Sequence, residues 1–157
     1  STAAVLRAMG AGIPDLSPDL TVVGRAGGLV APTVDLDCGN SGTTTRLVSG
    51  IVAAQPFAAR FVGDASLSRR PMRRVAAPLA EMGARFAFEG ADGLLPMTVT
   101  GGALRGLEWT SETASAQVKS AILLAGVLGG VEVTVREPTK SRDHTERMLA
   151  ARGVDVY

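Results

Sequence analysis

Apolar positions recur at helical spacing in five stretches of the chain, and short alternating stretches lie between them. Val5, Leu6 and Met9 open the first stretch, directly behind Ser1 and Thr2, which read as a helix cap. Thr43 to Ala54 is the second, with Leu47, Val48, Ile51 and Val52 on one stripe and Pro56 just beyond it. The third runs from Pro71 to Met82 with Met72, Val75, Ala76 and Leu79 inward, and proline at its first position marks the start. Ser115 to Leu128 is the fourth: Val118, Ala121, Ile122, Leu124, Ala125 and Leu128 make it apolar nearly all round, so burial on most sides is expected. Asp143 to Ala151 is the fifth, with Asp143 and Glu146 at capping-box spacing. Strands are expected at Leu20–Val23, Val34–Asp37, Ala59–Val62, Arg85–Phe88, Pro96–Thr100 and Val131–Val135, with a turn at Gly90–Gly93.

One phrase returns. Leu6-Arg7-Ala8-Met9-Gly10-Ala11 is echoed by Leu79-Ala80-Glu81-Met82-Gly83-Ala84 and, more loosely, by Met148 to Val154. Gly10, Gly83 and Gly153 are 73 and 70 residues apart, each where a helix ends and left-handed backbone favours glycine. Near-equal spacing argues for internal duplication of a strand-helix-strand-helix-strand-strand unit. The chain then holds the tail of one unit (1–30), a full unit (31–104) and most of a third (105–157). The expected fold class is α/β, and the front of the first unit is expected upstream of Ser1.

Composition narrows the classes of function. Apolar residues make up 46% and charged residues 20%, the balance of a globular domain. A formal charge of +1 selects no acidic partner, and 4% aromatics leave few platforms for stacking bases. Nucleic acid and membrane are therefore not expected partners. Cys38 is the only cysteine, which excludes an intrachain disulfide and a cysteine-rich zinc site. With no base near it in sequence, it reads as packing. Neither a metal nor a cofactor is expected.

Four segments carry polar chemistry, and each has a plainer structural reading. Gly39-Asn40-Ser41-Gly42-Thr43-Thr44-Thr45-Arg46 follows a strand and opens a helix, so its backbone N–H groups can face an anion; a capped turn uses the same residues. Ser68 to Arg74 is basic, and Arg70 stands at a strand-to-helix junction where it can clamp a carboxylate, while Arg73 and Arg74 are expected to face water. Ser115-Ala116-Gln117 opens the most apolar helix, either as a simple cap or as a binding cluster. Lys140-Ser141-Arg142-Asp143-His144 offers a hydroxyl and two cations to a phosphate, with His144, the only histidine, read as structural.

Together these segments resemble the EPSP synthases, the 3-phosphoshikimate 1-carboxyvinyltransferases. The resemblance rests on Asp37 to Arg46, Gly63 to Met72, Ser115 to Ser120 and Ser141 to Glu146, in the family's order and across nearly the whole chain. It implies part of the first domain of an inside-out α/β barrel enzyme of the cytoplasm, truncated at both ends. The implied substrates are phosphoenolpyruvate and shikimate 3-phosphate, with glyphosate as an inhibitor at the phosphoenolpyruvate site. By resemblance Gly42, Arg70 and Gln117 bind phosphoenolpyruvate, with Asn40 and Thr43 shaping the Gly42 turn. Ser115, Ala116 through its N–H, Gln117 and Ser141 bind shikimate 3-phosphate. Many relatives carry serine where this chain has Ala116.

No residue of the segment is assigned a catalytic role by the resemblance. The family's Pro-Gly-Ser-Lys-Ser motif does not occur in these 157 residues, and the proton-transfer carboxylates belong to the family's second domain. The segment alone is therefore expected to be inactive, and to need the remainder of the enzyme or a complementary fragment. Two other readings are UDP-N-acetylglucosamine enolpyruvyl transferase and a non-catalytic domain of the same repeat. The first carries a reactive cysteine in the stretch matching Gly63 to Pro71, where this chain has none.

Overall fold

The computed structural model describes residues 1–25 and 28–157; Ala26 and Gly27, within the expected first unit, lie outside the described residues. Among the described residues the α-helices and strands follow in the order α1 (Thr2–Ala8), β1 (Leu36–Asp37), α2 (Gly42–Ala53), β2 (Ala58–Val62), α3 (Arg73–Met82), β3 (Arg85–Phe88), β4 (Met97–Thr100), β5 (Leu107–Thr110), α4 (Ala116–Gly129), β6 (Val133–Arg136) and α5 (His144–Ala150), with a short 3-10 helix at Leu67–Arg69 between β2 and α3. The chain is α/β, as expected. A four-stranded sheet runs β1-β2-β4-β3, in which β1 and β2 are parallel and the other pairs antiparallel. β5 and β6 form a separate parallel pair joined through α4.

Alternation along β4 turns Met97 and Val99 inward, and Phe61 and Leu36 meet them from β2 and β1. Val48 and Val52 of α2, Val75, Leu79 and Met82 of α3, and Val118, Ala121, Ile122 and Ala125 of α4 close one continuous core. α2 and α4 approach so closely that a Cβ on Gly50 would stand 2.2 Å from the Ala121 carbonyl oxygen. That contact brings the N-terminal ends of the two helices, where the polar motifs lie, to one side of the molecule.

Gly10, Gly83 and Gly153 have positive φ, at 87°, 120° and 79°, which an L side chain rarely adopts. Cys38 is fully buried in the core, and burial pushes its thiol above the ordinary value, which fits the packing role expected of it.

Several expectations change. Leu20–Val23 forms no strand: only an isolated bridge between Gly12 and Val23 exists, and Val22 and Val23 are exposed. α3 begins at Arg73, not at Pro71: Met72 is its N-cap, its carbonyl accepting the Ala76 N–H while its own N–H bonds the Gly93 carbonyl. The Asp143–Glu146 capping box does not form: Asp143 makes no side-chain cap bond and pairs with Lys140, while Glu146 reaches Lys119. α4 is buried along its first three turns only, since Val127 and Leu128 are 41% and 48% exposed. Ser1 makes no cap bond either, and its hydroxyl lies 3.5 Å from that of Thr44. Among the described residues no helix is long and apolar enough to cross a membrane.

Candidate functional site

The turn into α2 is built by three residues. Asp37 accepts the Gly39 N–H at 2.8 Å, Gly39 supplies a φ of 54°, and the Ser41 hydroxyl accepts the Thr44 N–H at 3.1 Å as helix cap. Asn40 and Thr43, expected to shape this turn, reach out of it instead. Asn40 donates to Asp64 at 2.7 Å and accepts from Arg70 at 2.6 Å, and Thr43 accepts from Gln117 at 2.8 Å. Their role is to join the turn to two other segments.

Arg46 is the hub of that junction. Its guanidinium donates to Gln117 Oε1 at 2.9 Å, to the Pro71 carbonyl at 3.1 Å and to the Gly42 carbonyl at 3.3 Å. Gly42 is buried beneath it: a Cβ there would meet Arg46 Nη1 at 2.7 Å and Arg70 Nη1 at 3.4 Å. Burial, then Arg70, then Arg74 hold the Arg46 guanidinium below its ordinary pKa. Three guanidinium groups thus converge, and among the described residues no carboxylate lies within ion-pair distance of any of them. A cavity of about 180 Å³ opens there, lined by Arg46, Pro71, Arg74, Ser115, Gln117 and Val118. Repelling cations around a cavity are arranged for an anion.

Ser115 caps α4, its hydroxyl accepting the Val118 N–H at 3.4 Å, and this leaves its own hydrogen available. Ser141 stands before α5 and donates to Glu137 at 2.7 Å. The cation beside it differs from the expected ones. Arg142 is exposed and Lys140 pairs with Asp143, whereas Lys119 is 11% exposed and 3.0 Å from Glu137. His144 is exposed at the start of α5, and Arg73 pairs with Asp92 at the surface.

The family model of EPSP synthase (3-phosphoshikimate 1-carboxyvinyltransferase) matches residues 1–157. The chain belongs to the EPSP synthase family. It is 52% identical over 159 residues to the 3-phosphoshikimate 1-carboxyvinyltransferase of Xanthomonas axonopodis pv. citri, covering 99% of this chain and 36% of that one. The Xylella fastidiosa protein of the same name is also 52% identical, with 35% of its length covered. A solved EPSP synthase of Acinetobacter baumannii superposes with a TM-score of 0.93 at 47% identity, over 99% of this chain and 36% of that one. The chain therefore spans about a third of the length of these relatives.

Of the residues singled out by resemblance to EPSP synthases, Asn40, Gly42, Thr43, Arg70 and Gln117 come together around Arg46. Ser115 shares the cavity wall with Arg46 and Gln117. Ser141 stands apart from this group and connects to Ser115 only through Glu137. Arg46, Glu137 and Lys119 received no role from the sequence, and Arg74, expected to face water, lines the cavity. Arg46 ends a matched EPSP synthase segment, and Lys119 is a charge on an otherwise apolar helix, so both left a trace. Glu137 left none.

Proposed function

We propose that the protein carrying this segment is an enolpyruvyl transferase joining phosphoenolpyruvate to the 5-hydroxyl of shikimate 3-phosphate, with release of phosphate. The observation that carries this reading is the cluster of Arg46, Arg70 and Arg74 beside a cavity that Arg46 and Arg74 line, with no carboxylate among the described residues within ion-pair distance of them. Both substrates are anions, and such a cluster offsets the repulsion of holding them side by side. Arg70 clamps the phosphoenolpyruvate carboxylate, and the Gly42 backbone lies against the same ligand. Gln117, in the first turn of α4 and bonded to both Arg46 and Thr43, reaches both substrates. Ser115, the Ala116 N–H and Ser141 hold the phosphate of shikimate 3-phosphate.

In this reaction the 5-hydroxyl oxygen adds to C2 of phosphoenolpyruvate while a proton is delivered to C3. The tetrahedral intermediate then loses phosphate and a C3 proton, restoring the double bond. The residues named here bind and orient; none is assigned the proton transfers.

Phosphate release by the intact protein, measured with both substrates together and with each alone, tests the proposal. Release should need both and should not occur when UDP-N-acetylglucosamine replaces shikimate 3-phosphate. The 157-residue segment by itself should release none. An intact protein inactive with both substrates overturns the proposal.

A further inference from the structure

Ser115 precedes α4 and Ser141 precedes α5, so no shared helix or strand fixes one against the other. One carboxylate does. Glu137 is 8% exposed; its Oε1 accepts the Ser115 N–H at 2.9 Å, and its Oε2 accepts the Ser141 hydroxyl at 2.7 Å. Oε2 also lies 3.0 Å from Lys119 Nζ, which is 2.7 Å from Glu146 Oε1. The second Glu146 oxygen, Oε2, is buried with no hydrogen-bond partner.

We propose that Glu137 is a positioning residue for the phosphate of shikimate 3-phosphate, fixing Ser115 and Ser141 against each other by its reach and not by its charge. This rests on the assignment of those two serines under the proposed function. A carboxylate only accepts hydrogen bonds, and so does a phosphate dianion, so Glu137 has nothing to offer the ligand directly. Its charge is a disadvantage: Lys119 balances one of two carboxylates, and the excess is negative. What Glu137 provides is a span between two loops. Glu137 sets the positions of the two serines before the ligand arrives. On binding, the Ser141 hydroxyl turns its hydrogen from Glu137 to the phosphate, so that bond orders the site beforehand and is given up in the complex. Glu137 keeps the Ser115 N–H and the Lys119 ammonium, and remains satisfied.

Reach and charge separate in two variants of the intact protein. Glu137→Gln keeps the length: its carbonyl takes the Ser115 N–H, its amide donates to the Ser141 oxygen, and Lys119 turns to the unpartnered Glu146 oxygen. Glu137→Asp keeps the charge but is one methylene too short to hold both serines. Calorimetric titration with shikimate 3-phosphate, and with unphosphorylated shikimate, reads the difference. Glu137→Asp should weaken shikimate 3-phosphate binding about tenfold or more, and Glu137→Gln by less than about threefold. Shikimate affinity should be the same in all three proteins.

The proposal is overturned if Glu137→Asp binds shikimate 3-phosphate like the wild type, or if Glu137→Gln is as damaging as Glu137→Asp. It is also overturned if either variant loses affinity for both ligands alike, since that is general loosening. A wild-type protein that does not distinguish the two ligands defeats the functional reading itself, and that result needs no variant to see it.

Discussion

Gly42 lies where one added methyl group meets two guanidinium groups, and the physical outcome depends on what can yield. Its φ is not positive, so alanine brings no backbone strain, and Gly42 is the first residue of α2, where alanine is favourable. The nearest atom to the new Cβ is Arg46 Nη1 at 2.7 Å, the far end of a flexible side chain. Arg46 therefore moves, and the methyl group narrows the space between it and Arg70. On the proposed function, in which Gly42 lies against phosphoenolpyruvate, Gly42→Ala should raise the inhibition constant of the intact protein for glyphosate, the bulkier occupant implied by the resemblance, by a larger factor than the phosphoenolpyruvate Michaelis constant. Folding stability should change by less than about 1 kcal/mol. Equal factors for inhibitor and substrate would show that Gly42 does not line the site.

Gly50, two turns along the same helix, gives the opposite case at the level of packed elements. Its added Cβ would stand 2.2 Å from the Ala121 carbonyl oxygen and 2.9 Å from the Ala121 Cα. These are backbone atoms of a buried helix, so neither side can give way without separating α2 from α4. Gly50→Ala should cost about 3 kcal/mol, at the upper end of overpacking effects. Urea unfolding should show this as a lowered midpoint. Activity should fall as well, since the Arg46–Gln117 and Thr43–Gln117 bonds cross the same interface. A variant as stable as the wild type would mean that the helices do not pack this closely.

For the molecule as a whole, the Glu137–Lys119–Glu146 cluster ties the strand pair, α4 and α5 together, and its buried carboxylate should contribute to the response to acid. Burial alone would raise the Glu137 carboxyl, but the Ser141 hydroxyl, the Ser115 N–H and Lys119 outweigh it and hold it below its ordinary value. Stability from a depressed carboxyl is present above its unfolded value, near 4.5, and is lost as pH falls through the lower folded value. Lys119, although burial opposes its charge, is raised by Glu146 and Glu137 above its ordinary 10.5, so its contribution is complete below that pH. The urea midpoint of the wild type should therefore drop as pH falls below about 4.5, and Glu137→Gln should flatten that dependence. Identical slopes in the two proteins would remove Glu137 from the acid response.

Local patterning in the sequence located the motifs and most of the elements, though not β5. Periodic apolar positions located α2, α3 and α4 to within a few residues, alternation located β3 and β4, and the glycines at 10, 83 and 153 all have positive φ. The reason is local: backbone preference and the side of an element that meets the core are written in neighbouring residues. Tertiary structure alone decided which polar groups meet. Gln117 bonds Arg46 and Thr43 across 71 and 74 positions, drawing Thr43 away from its own turn, and Glu146 leaves a capping box for a lysine on another helix. Leu20–Val23 has the composition of a strand but no neighbouring strand to pair with among the described residues, and it stays irregular. Hydrogen-bond partners and sheet neighbours are chosen by packing over long sequence separations, and no local pattern encodes that choice.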